Sequence, residues 1–243
     1  MKLLLALLSI CVVPQSRAQS GLDRPRLGEM IDRKGLLRSV SGVGGSFLVE
    51  SPKAKSSLAT ACAQTLCVAK LTDSILAGGE TVPAPSGRAV IAVDAAGAVI
   101  YFVETKQFAR LQAGALTSID QNIDGEILSL RSTPAGIDLA VRREDAVWIV
   151  SAKGGILDSL PTTTTAALLL ADAVVYATSD ALVLRRADGT EQRFAARDIR
   201  DLFAMGEGWV EARAGADIFA LRTDAGHECL YLLPQSAGPT ERY

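Results

Sequence analysis

Three stretches of this chain align without gaps at a fixed spacing. Gly136–Val150 (GIDLAVRREDAVWIV), Ala171–Arg185 (ADAVVYATSDALVLR) and Gly206–Ala220 (GEGWVEARAGADIFA) begin 35 residues apart, at 136, 171 and 206. A fourth copy, Gly87–Tyr101 (GRAVIAVDAAGAVIY), begins 49 residues before the first of these, which implies a 14-residue insertion in one repeat. Each copy is a short apolar run, a tight turn and a second apolar run. A repeat of this length means a small unit that buries its faces only against copies of itself.

The runs are β-branched, aromatic and almost continuously apolar (AVIYFV, AVWIV, ALVL), as strands covered on both faces must be. The turns between them are Asp94–Gly97, Arg143–Asp145, Ser179–Asp180 and Ala214–Gly215. A more polar third strand follows each pair: Lys106–Leu111, Gly155–Leu160, Glu191–Arg197 and Glu228–Leu233. A leading strand precedes three of the pairs, at Glu126–Arg131, Ala166–Ala171 and Ile199–Met205. Residues Ala195–Met205 also carry apolar positions at helical spacing, which makes a short helix the alternative there.

Four antiparallel strands every 35–40 residues is the arithmetic of a β-propeller blade. Ser46–Gly79 forms an earlier unit, and Leu27–Gly42 reads as a lone hairpin before it. The expected fold is therefore all-β, a five- or six-bladed propeller of five near-complete blades plus an N-terminal hairpin. Its domain covers 27–234, between an N-terminal extension at 19–26 and a tail at 235–243. Each unit lacks the 10–15-residue helical stretch that βαβ architecture needs.

In period and strand order the chain resembles secreted bacterial β-propeller repeat proteins of the broad WD40-like and YVTN-like kind. It carries neither a Gly-His…Trp-Asp signature nor a repeated YVTN tetrapeptide. The resemblance implies a scaffold whose faces bind something, and no particular activity.

The first residues give an expectation about compartment. Met1-Lys2 is followed by the apolar run Leu3–Val13, then Pro14 and Ser16-Arg17-Ala18, the pattern of a secretory signal peptide cleaved after Ala18. A lipoprotein box ending at Cys11 is the alternative, with the bulky Ile10 where a small residue belongs. No later run reaches the ~18 residues of a membrane helix, so the expected product is secreted or periplasmic. Its 25 Lys and Arg are scattered among 27 Asp and Glu, for a net charge of −2. That leaves no concentrated basic footprint for nucleic acid.

Candidate sites are few. Asp120-Gln121-Asn122-Ile123-Asp124-Gly125-Glu126-Ile127 matches the start of a calcium loop, with side-chain oxygens on Asp120, Asn122 and Asp124 and a contribution from Glu126. Calcium is the one cofactor this suggests. Leu128 and Arg131 stand where the motif needs further oxygens, and Asp, Asn and Gly also make ordinary turns.

Cys62 and Cys67 flank Ala63–Leu66, a possible hairpin tip. They form either a disulfide, which an oxidising compartment permits, or two small apolar strand residues. Cys229 remains. Asp145 and Asp180 align across copies and could face one end of a channel, while Gly215 replaces them in the third. His227, beside Gly226, reads as a solvated turn residue. Ser41–Ser46 (SGVGGS) lacks the strand–loop–helix context of a phosphate loop. Tyr101, Trp148, Trp209 and Phe219 fit packing between blades.

No nucleophile motif and no zinc-protease motif is present, so no catalytic residue is assigned. The reading is a non-catalytic binding or scaffold module for a protein or cell-envelope partner. A metal-dependent propeller hydrolase of the lactonase kind and a self-assembling repeat protein are the alternatives.

Overall fold

The computed structural model describes residues 24–234. The expected leader, its cleavage point and the tail lie outside the described residues.

Every element among the described residues is a strand, and the 23 strands form six antiparallel sheets, each built from consecutive strands. The first sheet holds β1 (Arg26–Ile31), β2 (Leu37–Val43) and β3 (Ser46–Ala54). The second holds β4 (Ala59–Ala63), β5 (Leu66–Lys70), β6 (Ser74–Ala77) and β7 (Glu80–Pro83). The third holds β8 (Ala89–Asp94), β9 (Gly97–Phe102), β10 (Gln107–Gln112) and β11 (Ala115–Ile119). In the fourth are β12 (Glu126–Thr133), β13 (Gly136–Arg143), β14 (Ala146–Ser151) and β15 (Ile156–Leu160). The fifth comprises β16 (Ala166–Leu169), β17 (Ala173–Ala177), β18 (Ala181–Arg186) and β19 (Glu191–Ala195). The sixth comprises β20 (Ile199–Gly206), β21 (Trp209–Ala214), β22 (Asp217–Arg222) and β23 (Cys229–Leu232).

The core lies between the sheets, as the two-sided apolar runs demand. Each neighbouring pair shares a buried cluster. Val68 and Ile75 meet Ile91 and Ile100 between the second and third sheets. Val99 and Phe108 meet Leu139 and Val141 between the third and fourth. Ile149 meets Tyr176 and Val183 next, and Val175 and Leu182 meet Val210 and Leu221 after that. Met30 and Val40 pack on Met205 and Trp209, and Ile31 and Leu37 on Ala69. Six interfaces for six sheets make a closed ring. Outer strands such as β15 and β19 are largely exposed, which suits their charges.

The structure corrects the phase of the repeat. Gly136, Ala171 and Gly206 lead into second strands of their sheets, but Gly87 leads into β8, a first strand. There is no insertion. The extra residues are β11 and its connection to β12, and the sheets from the second onward begin at 59, 89, 126, 166 and 199. Likewise, Ser46–Gly79 spans parts of two sheets, and the lone hairpin gains β3. The helical alternative at Ala195–Met205 resolves to β20, a strand.

The first sheet is also unlike the rest. Its β1 begins beside the end of β20, where Gly28 abuts Met205 and Gly206. It finishes beside the β21–β22 turn, where Arg33 donates to the Ala216 carbonyl. Thus β1 runs opposite to β20 and parallel to β21. The Gly35 carbonyl accepts from Ser57 N–H just ahead of β4, giving the same direction. The three strands take the second, third and fourth positions of a blade, and no first strand is present among the described residues. Instead β20 packs directly beside β4, and Phe203 and Ala204 reach the cluster between the second and third sheets.

Candidate functional site

Five first strands, β4, β8, β12, β16 and β20, therefore line the central channel. It opens at both ends. At the end where these strands begin, a cavity of about 300 Å³ has Val90, Tyr101 and Leu168 in its wall. At the end where they finish, a wider mouth of about 530 Å³ has a floor of Ile91, Leu130, Leu168 and Ala204. Its rim takes Gln64, Asp172 and Glu207 from the turns after β4, β16 and β20, and Asp224 from the β22–β23 connection.

Several charges around the two mouths are held in ion pairs. Arg131 Nη2 pairs with Asp138 at 2.7 Å, and its Nη1 donates to the Leu170 carbonyl at 2.8 Å. Arg186 pairs with Glu228 at 2.8 Å and reaches Asp172 at 3.5 Å. The Arg186 hydrogen bond holds the Glu228 carboxyl below its ordinary value. At the narrower end, Arg142 pairs with Glu126 at 2.6 Å and donates to the Thr164 and Thr165 carbonyls. Burial there raises the Tyr101 phenol. Ion pairs of this kind fix the orientation of the side chains around the rim.

The sequence candidates fall elsewhere. Asp120, Asn122 and Asp124 lie exposed on the connection from β11 to β12, which is not a tight hairpin turn. Among the described residues the carboxylates of Asp120, Asp124 and Glu126 are not gathered into one group. Glu126 is held by Arg142, and Asp124 offers its backbone carbonyl to Arg143 Nε at 3.0 Å. Asp145 and Asp180 sit on exposed turns that line neither mouth. His227 is exposed in the turn before β23, and Ser41–Ser46 straddles the β2–β3 turn. Cys62 and Cys67 face each other across the β4–β5 hairpin and are bonded, with S–S 2.06 Å. Cys229 is free and half-buried.

Trp209, Phe47 and Tyr231 stack edge-on at 5.8 and 5.4 Å where the first sheet meets the sixth. They pack the interface, as Tyr101 does against Phe108 at 4.8 Å.

Four charges not singled out in the sequence are buried, three of them in strands and the fourth, Asp32, in the β1–β2 turn. Glu211 is fully buried, accepts from Arg213 Nε at 2.6 Å and takes the Ile31 N–H at 3.4 Å. Arg213 in turn donates to the Ile31 carbonyl. One residue of β1 is thus gripped at both its N–H and its C=O by the sixth sheet. Burial pushes the Glu211 carboxyl up, against the pull of Arg213. Lys70 is also wholly buried, and its Nζ donates to the Leu71 and Thr72 carbonyls at 2.6 and 3.0 Å. Glu29 is the third. What Glu29, Lys70 and Glu211 share is an apolar strand neighbourhood, in RLGEMI, LCVAK and WVEARA.

Comparison with solved structures fits this geometry. A protein of unknown function from Bacteroides caccae superposes with a TM-score of 0.55 at 11% identity, over 82% of this chain and 90% of that one. The chain is a β-propeller. PorZ, an essential surface component of the type-IX secretion system of Porphyromonas gingivalis, gives 0.48 at 11% identity over 88% of this chain and 39% of its own. YCF48 bound to D1 peptide gives 0.46 at 11% identity, over 86% and 77%. No protein-family model and no curated protein sequence matches the chain. At such identities the propeller is what the likeness carries. Among the described residues no helix is long and apolar enough to cross a membrane.

Proposed function

We propose that this propeller is a non-catalytic binding module, working outside the cytoplasm, whose wider channel mouth receives a segment of a protein or cell-envelope partner. The observation that supports this reading is the mouth itself: about 530 Å³, apolar at its floor and polar at its rim, where Arg131 and Arg186 are held in ion pairs. Binding pockets commonly have that size and that division of labour. The five-strand lining matters here. With β20 set directly beside β4, the channel is lined by the first strands of five sheets, the rim turns come from the second, fifth and sixth, and the first sheet stands outside it.

The test is selection of extended peptides against the immobilised full chain, followed by affinity measurement on rim variants. Glu207→Arg and Ala225→Trp alter exposed turn residues at the mouth, so melting should be unchanged while affinity falls on the order of tenfold, about 1.4 kcal/mol. Selected peptides whose affinity ignores both variants would place the partner elsewhere. Turnover of a small ester or lactone by the purified chain would overturn the non-catalytic reading.

A further inference from the structure

Where the first sheet abuts the second, three ligand atoms of the type that hold zinc-class cations converge. Glu29 of β1 brings a carboxylate, and Cys62 and Cys67 bring sulfurs from β4 and β5. All lie within 4.8 Å of one another. Glu29 and Cys62 are buried and Cys67 is half-buried. In the oxidised chain both sulfurs are spent on each other.

A buried carboxylate beside a neutral disulfide gains nothing from it. Glu29 is balanced instead by Arg26 at 2.8 Å and Lys53 at 2.7 Å, and both bond to the same oxygen, Oε1. Oε2 is engaged by neither. Arg26 Nη2 also lies 3.9 Å from Cys67 Sγ.

We propose that reduction of Cys62–Cys67 opens a three-ligand site for a zinc-class divalent cation, made of both thiolates and Glu29. Two metal–sulfur bonds of about 2.3 Å at a tetrahedral angle set the sulfurs roughly 3.8 Å apart. The opposed Cα atoms are 4.1 Å apart, so side-chain rotation alone reaches that spacing. The charges also suit the ion: three anionic ligands exceed a dication by one negative charge, which Arg26 and Lys53 at their edge offset. Cys62 also lines the wider channel mouth. The inference does not depend on the partner-binding reading.

The chemistry is explicit. A phosphine reductant with water takes the disulfide to two thiols and becomes the phosphine oxide. Metal entry then displaces both thiol protons. The experiment uses the full chain, oxidised or phosphine-reduced, titrated with Cd²⁺ and followed by the thiolate-to-cadmium absorption band. Near-ultraviolet circular dichroism reports whether the fold is kept.

Reduced protein should bind one equivalent, and oxidised protein none. Glu29→Gln should weaken binding on the order of tenfold or more, since losing even an outer-shell partner costs a metal site that much. Three results would each overturn the proposal: no band in reduced, folded protein; equal affinity in Glu29→Gln, which would mean a bare dithiol; or a reduced chain that unfolds and is not refolded by Cd²⁺.

Discussion

Gly28 and Gly206 face each other across the seam that closes the ring. A Cβ on Gly28 would overlap the Met205 carbonyl, and one on Gly206 would overlap the Leu27 carbonyl. Both strands are irregular here, with register shifts between Arg26 and Gly28 and between Ala204 and Gly206. Gly28 also has a φ of +139°, which disfavours any side chain. The first and sixth sheets thus meet by direct backbone contact, without a strand shared between them. Gly28→Ala and Gly206→Ala should each cost about 1–3 kcal/mol, as overpacking does. For a domain of this size that lowers the melting temperature by roughly 2–12 °C. Wild-type melting in both variants would show that the seam yields freely.

The Glu211–Arg213 pair holds the same seam from within. Removing one member of a buried pair strands the other charge, at a cost of about 3–5 kcal/mol. Arg213→Met should show that loss in a denaturant titration, increased by the missing bond to the Ile31 carbonyl. The double variant Glu211→Leu/Arg213→Met should recover part of it. Strict additivity of the two single changes would mean that the residues act independently.

Two buried carboxyls pull the pH dependence in opposite directions. Burial would raise Asp32, but bonds from Arg38 Nε at 2.6 Å and from the Leu36 and Lys34 N–H groups outweigh it and hold it below 3.8. Its contribution is complete above 3.8 and is lost as pH falls through the lower folded value. Glu211 is raised above 4.5, so its contribution is complete below 4.5 and is lost as pH rises through the folded value. Melting curves from about pH 3 to about pH 8 should show Asp32→Asn converging on the wild type in acid. Glu211→Gln should gain on the wild type as pH rises. Curves that stay parallel would remove both assignments.

The architecture was legible because the inter-sheet core writes itself into every repeat as apolar runs separated by turns. Phase was not. A hairpin of first and second strands has the same local pattern as one of second and third strands, so Gly87–Tyr101 aligned with copies one strand out of step. Strand direction is likewise unwritten, which hid the unusual placement of β1. The spacing of Cys62 and Cys67 suits a hairpin bridge and an apolar pair alike, and only the register Cys62↔Cys67 decides between them. Glu29 and Glu211 were missed for a different reason. A charge in a strand is usually on its solvated face, and these two are buried by contacts between segments about 30 and 180 residues apart.

The stretch Asp120–Ile127 supplies the last prediction. Glu126 already pairs with Arg142, and the part Asp124 plays is its backbone carbonyl, which any residue retains. Chelator followed by Ca²⁺ should therefore leave the melting temperature unchanged, and Asp124→Ala should match the wild type to within about 0.5 kcal/mol. A bound ion would instead add about 2.7 kcal/mol at a hundredfold excess over its dissociation constant, roughly 5–10 °C here. Such a rise would mean that the connection rearranges to gather its carboxylates. Gly125 is where this segment should prove sensitive. Its φ is +111°, and a Cβ would come within 2.7 Å of the Arg142 carbonyl oxygen and 2.6 Å of Val141 Cγ1. Gly125→Ala should destabilise with or without calcium, because the connection needs that close approach to deliver Glu126 to Arg142 at the head of β12.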